Sequence, residues 1–153
     1  MSEYEHTQHG KLHHIYWGFT AAALVAFWFA RGFPDIAVWC LILAATGMLI
    51  SFVFSNLTVR DGGDRLLLRF GPLPLLRKGI RYADITGVER GRTNWADGWG
   101  IHYVPRRGWT FNIWGYDCVK LTLGCKVIRV GSDDVDRLVE FLSKKSAAAT
   151  PPA

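Results

Sequence analysis

The sequence predicts a membrane α-helical hairpin joined to a mainly-β soluble domain that a C-terminal helix caps. Three observations predict it. Two apolar runs, residues 15–30 and 36–54, contain no Asp, Glu, Lys or Arg and are separated only by Arg31-Gly32-Phe33-Pro34-Asp35; crossing a bilayer core takes about 17 to 25 helical residues. From Asn56 onward, short apolar segments are punctuated by Gly, Pro and Asp, the pattern of strands and turns. Val135, Leu138, Val139 and Leu142 then recur at spacings of three and four, which is one face of a helix.

Composition bounds what this architecture can do. The 153 residues, half of them apolar, suffice for the hairpin and one soluble domain of roughly 90 residues. The net charge of +5 lies mainly in the soluble part, and such a surface is drawn to anionic lipid. There is no clustered basic stripe and no nucleic-acid motif, so nucleic acid is not an expected partner. Cys40, Cys118 and Cys125 show no CxxC or comparable spacing and read as free thiols of a reducing compartment. No cofactor or metal is expected.

The first 14 residues hold four of the five histidines. A helical extension would bring His6, His9 and His13 to one face, a geometry able to bind a transition metal. Gly10 and the polar surroundings favour a flexible segment over residues 1–14 instead.

In the hairpin, the first run reaches full length only with His13, His14 and the stem of Lys11 in the interfacial zone. A soluble buried helix pair is disfavoured because the remaining domain is too small to cover both helices. A cleaved signal peptide is disfavoured by Glu3, Glu5 and the missing small-x-small site. Gly18, Ala22, Ala26 and Ala30 recur every four residues, and Ala37, Cys40, Ala44, Gly47 and Ser51 at alternating threes and fours. Small-residue rows let helix backbones approach closely in lipid, so the two rows are expected to pack on each other; driving a homodimer is the other use. Gly32 and Pro34 suit the reversal. Arg31 is the one cation of the connection, whereas Arg60, Arg65, Arg69, Arg77, Lys78 and Arg81 follow. The positive-inside tendency puts both termini in the cytoplasm, in a multi-pass protein of the cell membrane.

The soluble domain begins with candidate strands at 56–60 and 65–70 around Asp61-Gly62-Gly63-Asp64, a hairpin turn. Gly71-Pro72-Leu73-Pro74 interrupts pairing, leaving Leu73, Leu75 and Leu76 either on the membrane surface or folded over the barrel. Residues 79–82 and 85–90 are further candidates, and 100–104 and 109–113 flank the turn Pro105-Arg106-Arg107-Gly108. A last hairpin about Gly124-Cys125 sets Leu121 against Ile128 and Val119 against Val130, with Lys120 against Arg129 on the other face. Ser132-Asp133-Asp134 caps the final helix, which ends at Lys144 and Lys145. Residues 146–153 are expected to be disordered.

Seven short strands closed by one amphipathic helix make a small barrel or orthogonal sandwich. With the leading hairpin LTVRDGGDRLLLRFGPL, the segment IRYADITGVERG, the stretch Asp97-Gly98-Trp99-Gly100-Ile101 and VKLTLGCKVIRVGSDDVDRLVEFL, residues 56–145 resemble the bacterial pleckstrin-homology-like domains, which often follow two transmembrane helices. The resemblance implies an interaction or oligomerisation module. The phosphoinositide-binding type carries a Lys/Arg cluster in the first strand hairpin, where this chain has the acidic turn Asp61 to Asp64.

The aromatic set Trp95, Trp99, Tyr103, Trp109, Phe111, Trp114 and Tyr116, interleaved with Arg92, His102, Arg106 and Arg107, has three readings. It supplies barrel core, or anchors at lipid headgroups, or forms a partner groove. Arg92, Trp95, Trp99, Arg106, Arg107 and Trp109 are the candidate binding residues. His102, Asp97, Asp117 and Cys118 are the types an enzyme would use, but their spacing fits no catalytic pattern. The expectation is a non-catalytic, membrane-anchored cytoplasmic module that binds a protein partner or its own copies. The alternative is a peripheral sensor of anionic headgroups.

Overall fold

The computed structural model describes residues 4–73, 75–94 and 99–149. The chain runs β1 (Glu5–His9), α1 (Leu12–Phe29), α2 (Pro34–Val53), β2 (Asn56–Asp61), β3 (Arg65–Phe70), β4 (Leu76–Arg81), β5 (Gly87–Arg92), β6 (Gly100–Val104), β7 (Gly108–Asn112), β8 (Asp117–Leu123), β9 (Lys126–Gly131) and α3 (Val135–Ala149). One sheet has the order β1-β2-β3-β4 and the other β5-β8-β9-β7-β6. The mainly-β domain with its C-terminal helix is as expected. Nine strands stand in place of seven: each of the eight candidate segments carries one, and the N-terminal segment supplies another.

That ninth strand corrects the reading of residues 1–14 as flexible. β1 pairs antiparallel with β2 from Glu5↔Arg60 to His9↔Asn56. Tyr4, just before it, is buried and stacks on Phe141 of α3 at 5.1 Å. Gln8 is buried and donates to the Trp114 carbonyl at 2.8 Å. His6 meets Asp133 at 2.5 Å, and His13 Nδ1 lies 2.6 Å from the Gly10 carbonyl oxygen, so the three histidines do not share a helical face. EHTQH has no apolar alternation, and hydrophobic period alone cannot reveal such a strand.

Pairing of β1 with β2 makes the helix pair an insertion between two neighbouring strands. Its two ends meet at the base, where Gly10 N donates to the Ser55 carbonyl at 3.1 Å. A Cβ on Gly10 would lie 2.7 Å from Ile113 Cγ1, so the base leaves no room for a larger residue. Pro34 opens α2 with Asp35 in its first turn, both suited to a helix N-terminus.

The expected packing of the two small-residue rows holds on one side only. Ala37, Ala44 and Ser51 of α2 are buried, and a Cβ on Gly47 would lie 2.7 Å from Thr20 Oγ1. On α1, however, Gly18, Ala22 and Ala26 are exposed; the less exposed positions are Tyr16, Thr20, Ala23, Phe27 and Ala30. A spacing of four advances about 40° per step round a helix of 3.6 residues per turn, so the row from Gly18 drifts off the contact. Alternating fours and threes keep Tyr16 to Ala30 on it.

α2 is long and apolar enough to cross a membrane, with a mean hydropathy of 2.4 over 18 residues, 22% of them buried. It alone among the described helices qualifies. α1 falls short of the two-span expectation because its 18 residues include His13 and His14. Phe19, Trp28, Phe33, Trp39 and Leu43 remain exposed around the pair.

The last hairpin has the expected register, with Leu121↔Ile128, Val119↔Val130 and Lys120↔Arg129 as partners. The parallel pairing of β7 with β9 was not foreseen. Leu57, Leu66, Phe70, Ile113, Val119, Leu121 and Val130 fill the core, and α3 covers it with Val135, Leu138, Phe141 and Leu142. Ser132 Oγ accepts from Asp134 N at 3.0 Å in a turn just ahead of the helix, and the first helical bond runs from Leu138 N to the Asp134 carbonyl at 3.1 Å, so Asp134 and not Ser132 holds the cap position. The helix continues through residues 146–149, which correct the expected disordered tail in that part; 150–153 lie outside the described residues.

Candidate functional site

The β6–β7 hairpin builds the candidate site. Its turn is closed by Arg107 N donating to the Val104 carbonyl at 3.0 Å. Arg106 has a φ of 65°, a left-handed conformation that costs a non-glycine residue about 1–2 kcal/mol. Gly108, at φ 87°, abuts the Val127 backbone so closely that any Cβ would collide with it. This contact, together with the pairing of Trp109 with Ile128, draws the turn against the start of β9.

The result is a cleft of about 290 Å³ lined by Tyr103, Arg106, Arg107, Trp109, Cys125 and Lys126, among others. A second hollow of about 380 Å³ adjoins it through Trp109 and Lys126, with Phe111, Leu123 and Ile128 as apolar walls and Lys78 of β4 at its rim. Trp109 is 47% exposed, with its ring 5.5 Å from that of Tyr103. Four cations from three parts of the chain border the two hollows, and among the described residues no Asp or Glu lines either. The chemistry available is attraction of anionic groups beside two aromatic faces.

The six expected residues do not form one face. Arg106, Arg107 and Trp109 come together. Arg92, at the end of β5, lies 3.6 Å from Asp117, and its carbonyl accepts from Arg107 Nη2 at 3.5 Å. Trp99 is elsewhere: half-buried, it stacks on Trp114 at 5.1 Å and donates from Nε1 to the Gly115 carbonyl at 3.3 Å. That cluster includes Tyr116 at 6.4 Å from Trp99, and Lys11 lies over Trp114 at 5.9 Å, so it belongs to the base of the helix pair. Trp95 lies outside the described residues. Lys78 and Lys126 were missed, because strand pairing between distant segments, not local sequence, brings them in.

The acidic turn has a structural employment. Asp61 is buried and accepts hydrogen bonds from Tyr82 Oη and Gly63 N, both at 2.8 Å, with Lys145 Nζ at 3.4 Å. Asp64 is held below the usual carboxylate range by hydrogen bonding to the Arg65 guanidinium. Of the residues an enzyme would use, His102 is exposed on β6, Cys118 is fully buried, and Asp117 lies beside Arg92; Asp97 lies outside the described residues. Among the described residues there is no group of three or more His, Cys, Asp or Glu suited to a metal ion.

No protein-family model matches the sequence, and no curated protein matches it either.

Proposed function

We propose that the chain is a pleckstrin-like interaction module anchored by two membrane spans, α1 and α2, with both termini in the cytoplasm. It has no catalytic role and binds an acidic segment of a protein partner, or of a second copy, in the cleft beside Trp109. The observation that carries this reading is the gathering of Arg106, Arg107, Lys126 and Lys78 around two joined hollows beside the exposed ring of Trp109. Aromatic and Arg residues are favoured interface anchors. Charge asymmetry supports the topology: Arg31 is the one cation between the helices, and six follow α2 by Arg81.

Photo-crosslinking tests the reading in native membranes, with a benzophenone side chain at Tyr103 and the captured species identified. An Arg106→Glu/Lys126→Glu variant should lose capture at least tenfold. Equal capture by that variant would remove the cleft from the interaction.

A second reading, contact of the basic-aromatic face with anionic headgroups, draws on Trp99, Trp114, Tyr116 and Lys11 at the helix base, because Trp and Tyr favour that level of a bilayer. Salt-sensitive enrichment of anionic lipid around the full chain supports it. A fragment beginning at Asn56 is the wrong reagent, since it lacks β1 and Tyr4.

A further inference from the structure

The β3–β4 hairpin carries exposed apolar and basic residues that neither the helix pair nor the cleft uses. Its tip follows Gly71, which has a φ of +70° and lies so close under α2 that a Cβ would be 2.6 Å from the Phe52 carbonyl oxygen and 2.9 Å from that of Val53. Gly71 N also donates to the Asn56 carbonyl at 2.9 Å. The hairpin tip therefore sits level with the end of the helix that can cross a membrane. Leu73 and Leu75 are within about 7 and 14 Å of chain from Gly71, and they are 55% and 59% exposed.

Just behind the leucines, Arg69 and Arg77 are direct cross-strand partners, with Cβ atoms about 5 Å apart. Like charges so placed destabilise a sheet. Elsewhere in the same hairpin the fold neutralises this arrangement: Arg65 is opposite Arg81, but Arg65 holds Asp64 at 2.7 Å and Arg81 holds Asp84 at 3.0 Å. Among the described residues no carboxylate forms an ion pair with Arg69 or Arg77. With Arg60, Thr58 and Glu5 they border a hollow of about 190 Å³.

We propose that this hairpin tip is a second membrane contact. Leu73, Leu75 and Leu76 enter the boundary between headgroups and acyl chains, and Arg69 and Arg77 share the phosphate of an anionic phospholipid, which offsets the repulsion of this like-charged pair. Guanidinium forks suit a phosphate with two or more free oxygens. The inference rests on α2 lying in the bilayer, and its test separates the two.

The test uses the full chain in nanodiscs of phosphatidylcholine with a minority of phosphatidylglycerol. One fluorophore-labelled cysteine at a time replaces Leu43, Leu75 or the exposed Ser143 of α3, in a Cys40→Ala/Cys125→Ser background that leaves the buried Cys118 in place. Doxyl quenchers carried deep in the acyl chains should quench the label at Leu43, and shallow ones the label at Leu75, with the label at Ser143 untouched. Quenching at Leu43 without quenching at Leu75 overturns the contact and leaves the anchor standing. No quenching at Leu43 overturns the anchor itself, and this inference with it. For the headgroup, spin-labelled phosphatidylglycerol should be enriched around the protein, and Arg77→Gln should lower that preference about fivefold. An unchanged preference in Arg69→Gln/Arg77→Gln overturns the arginine site. Displacement of the labelled lipid by millimolar inorganic phosphate would make it a soluble-phosphate site and overturn the lipid assignment.

Discussion

Replacing Asp61 tests how the C-terminal helix is held to the sheet. Its carboxylate accepts from Tyr82 Oη and Gly63 N at 2.8 Å each and faces Lys145 Nζ at 3.4 Å. In Asp61→Ala the Tyr82 hydroxyl loses this acceptor inside the core and Lys145 loses this counter-ion. Breaking a buried pair costs about 3–5 kcal/mol, and because Lys145 keeps partial access to water the lower end, about 3 kcal/mol, applies. Asp61→Asn keeps one acceptor of the same shape and should cost roughly half as much. Urea unfolding of the detergent-solubilised chain, followed by near-ultraviolet circular dichroism, reads the difference. With a slope of about 1–3 kcal/mol per molar urea, the Asp61→Ala midpoint should fall by about 1–3 M. A loss under about 1 kcal/mol, or equal losses in the two variants, would refute the view that this carboxylate fastens α3 to the β2–β3 turn.

Other expectations follow from the same contacts. Burial raises the pKa of Tyr4, and the charge of Asp134 raises it further. Folding therefore favours the protonated ring: its stability is fully present below the unfolded value of 10.0 and declines as pH rises above it, by about 1.4 kcal/mol per unit. Tyr4→Phe should remove that decline in alkaline denaturation curves. Deleting residues 1–9 removes β1 and the Tyr4 ring, and should destabilise the soluble domain by at least the roughly 3–5 kcal/mol of a large core truncation, measured by the same urea assay. Gly47→Leu meets Thr20 across the helix pair and should cost about 1–3 kcal/mol in overpacking, seen as a lower melting point in micelles. Gly18→Leu has open space around it and should leave the melt unchanged, but should weaken self-crosslinking in membranes if copies meet through that row.

Legibility in the sequence followed the strength of periodic signals. The final hairpin was readable to the residue because Gly124 marks its turn and apolar residues alternate on both strands. The helix pair and its reversal were readable from uninterrupted apolar runs and Pro34. β1 was not, because its burial is achieved by Tyr4 and Gln8 at its ends, not by an apolar face. The candidate site was half-legible. Arg106, Arg107 and Trp109 are neighbours in sequence, so their grouping needed only the turn. Lys78 and Lys126 reach them through β4 and the parallel β7–β9 pairing, which no local pattern encodes, while Trp99 left the group because its ring found Trp114 instead.

The closing of β1 onto β2 across an inserted helix pair constrains how the protein is made. β1 is synthesised before the helix pair, and its partner emerges only after both helices, a delay of seconds at about 5–20 residues per second. During that interval β1 has no partner strand, and it must remain within reach of the place where β2 will appear. A chain whose helix pair held β1 away from β2 could not complete the four-stranded sheet or bring Tyr4 to α3. Placement of the helix pair and completion of the four-stranded sheet are thus one event.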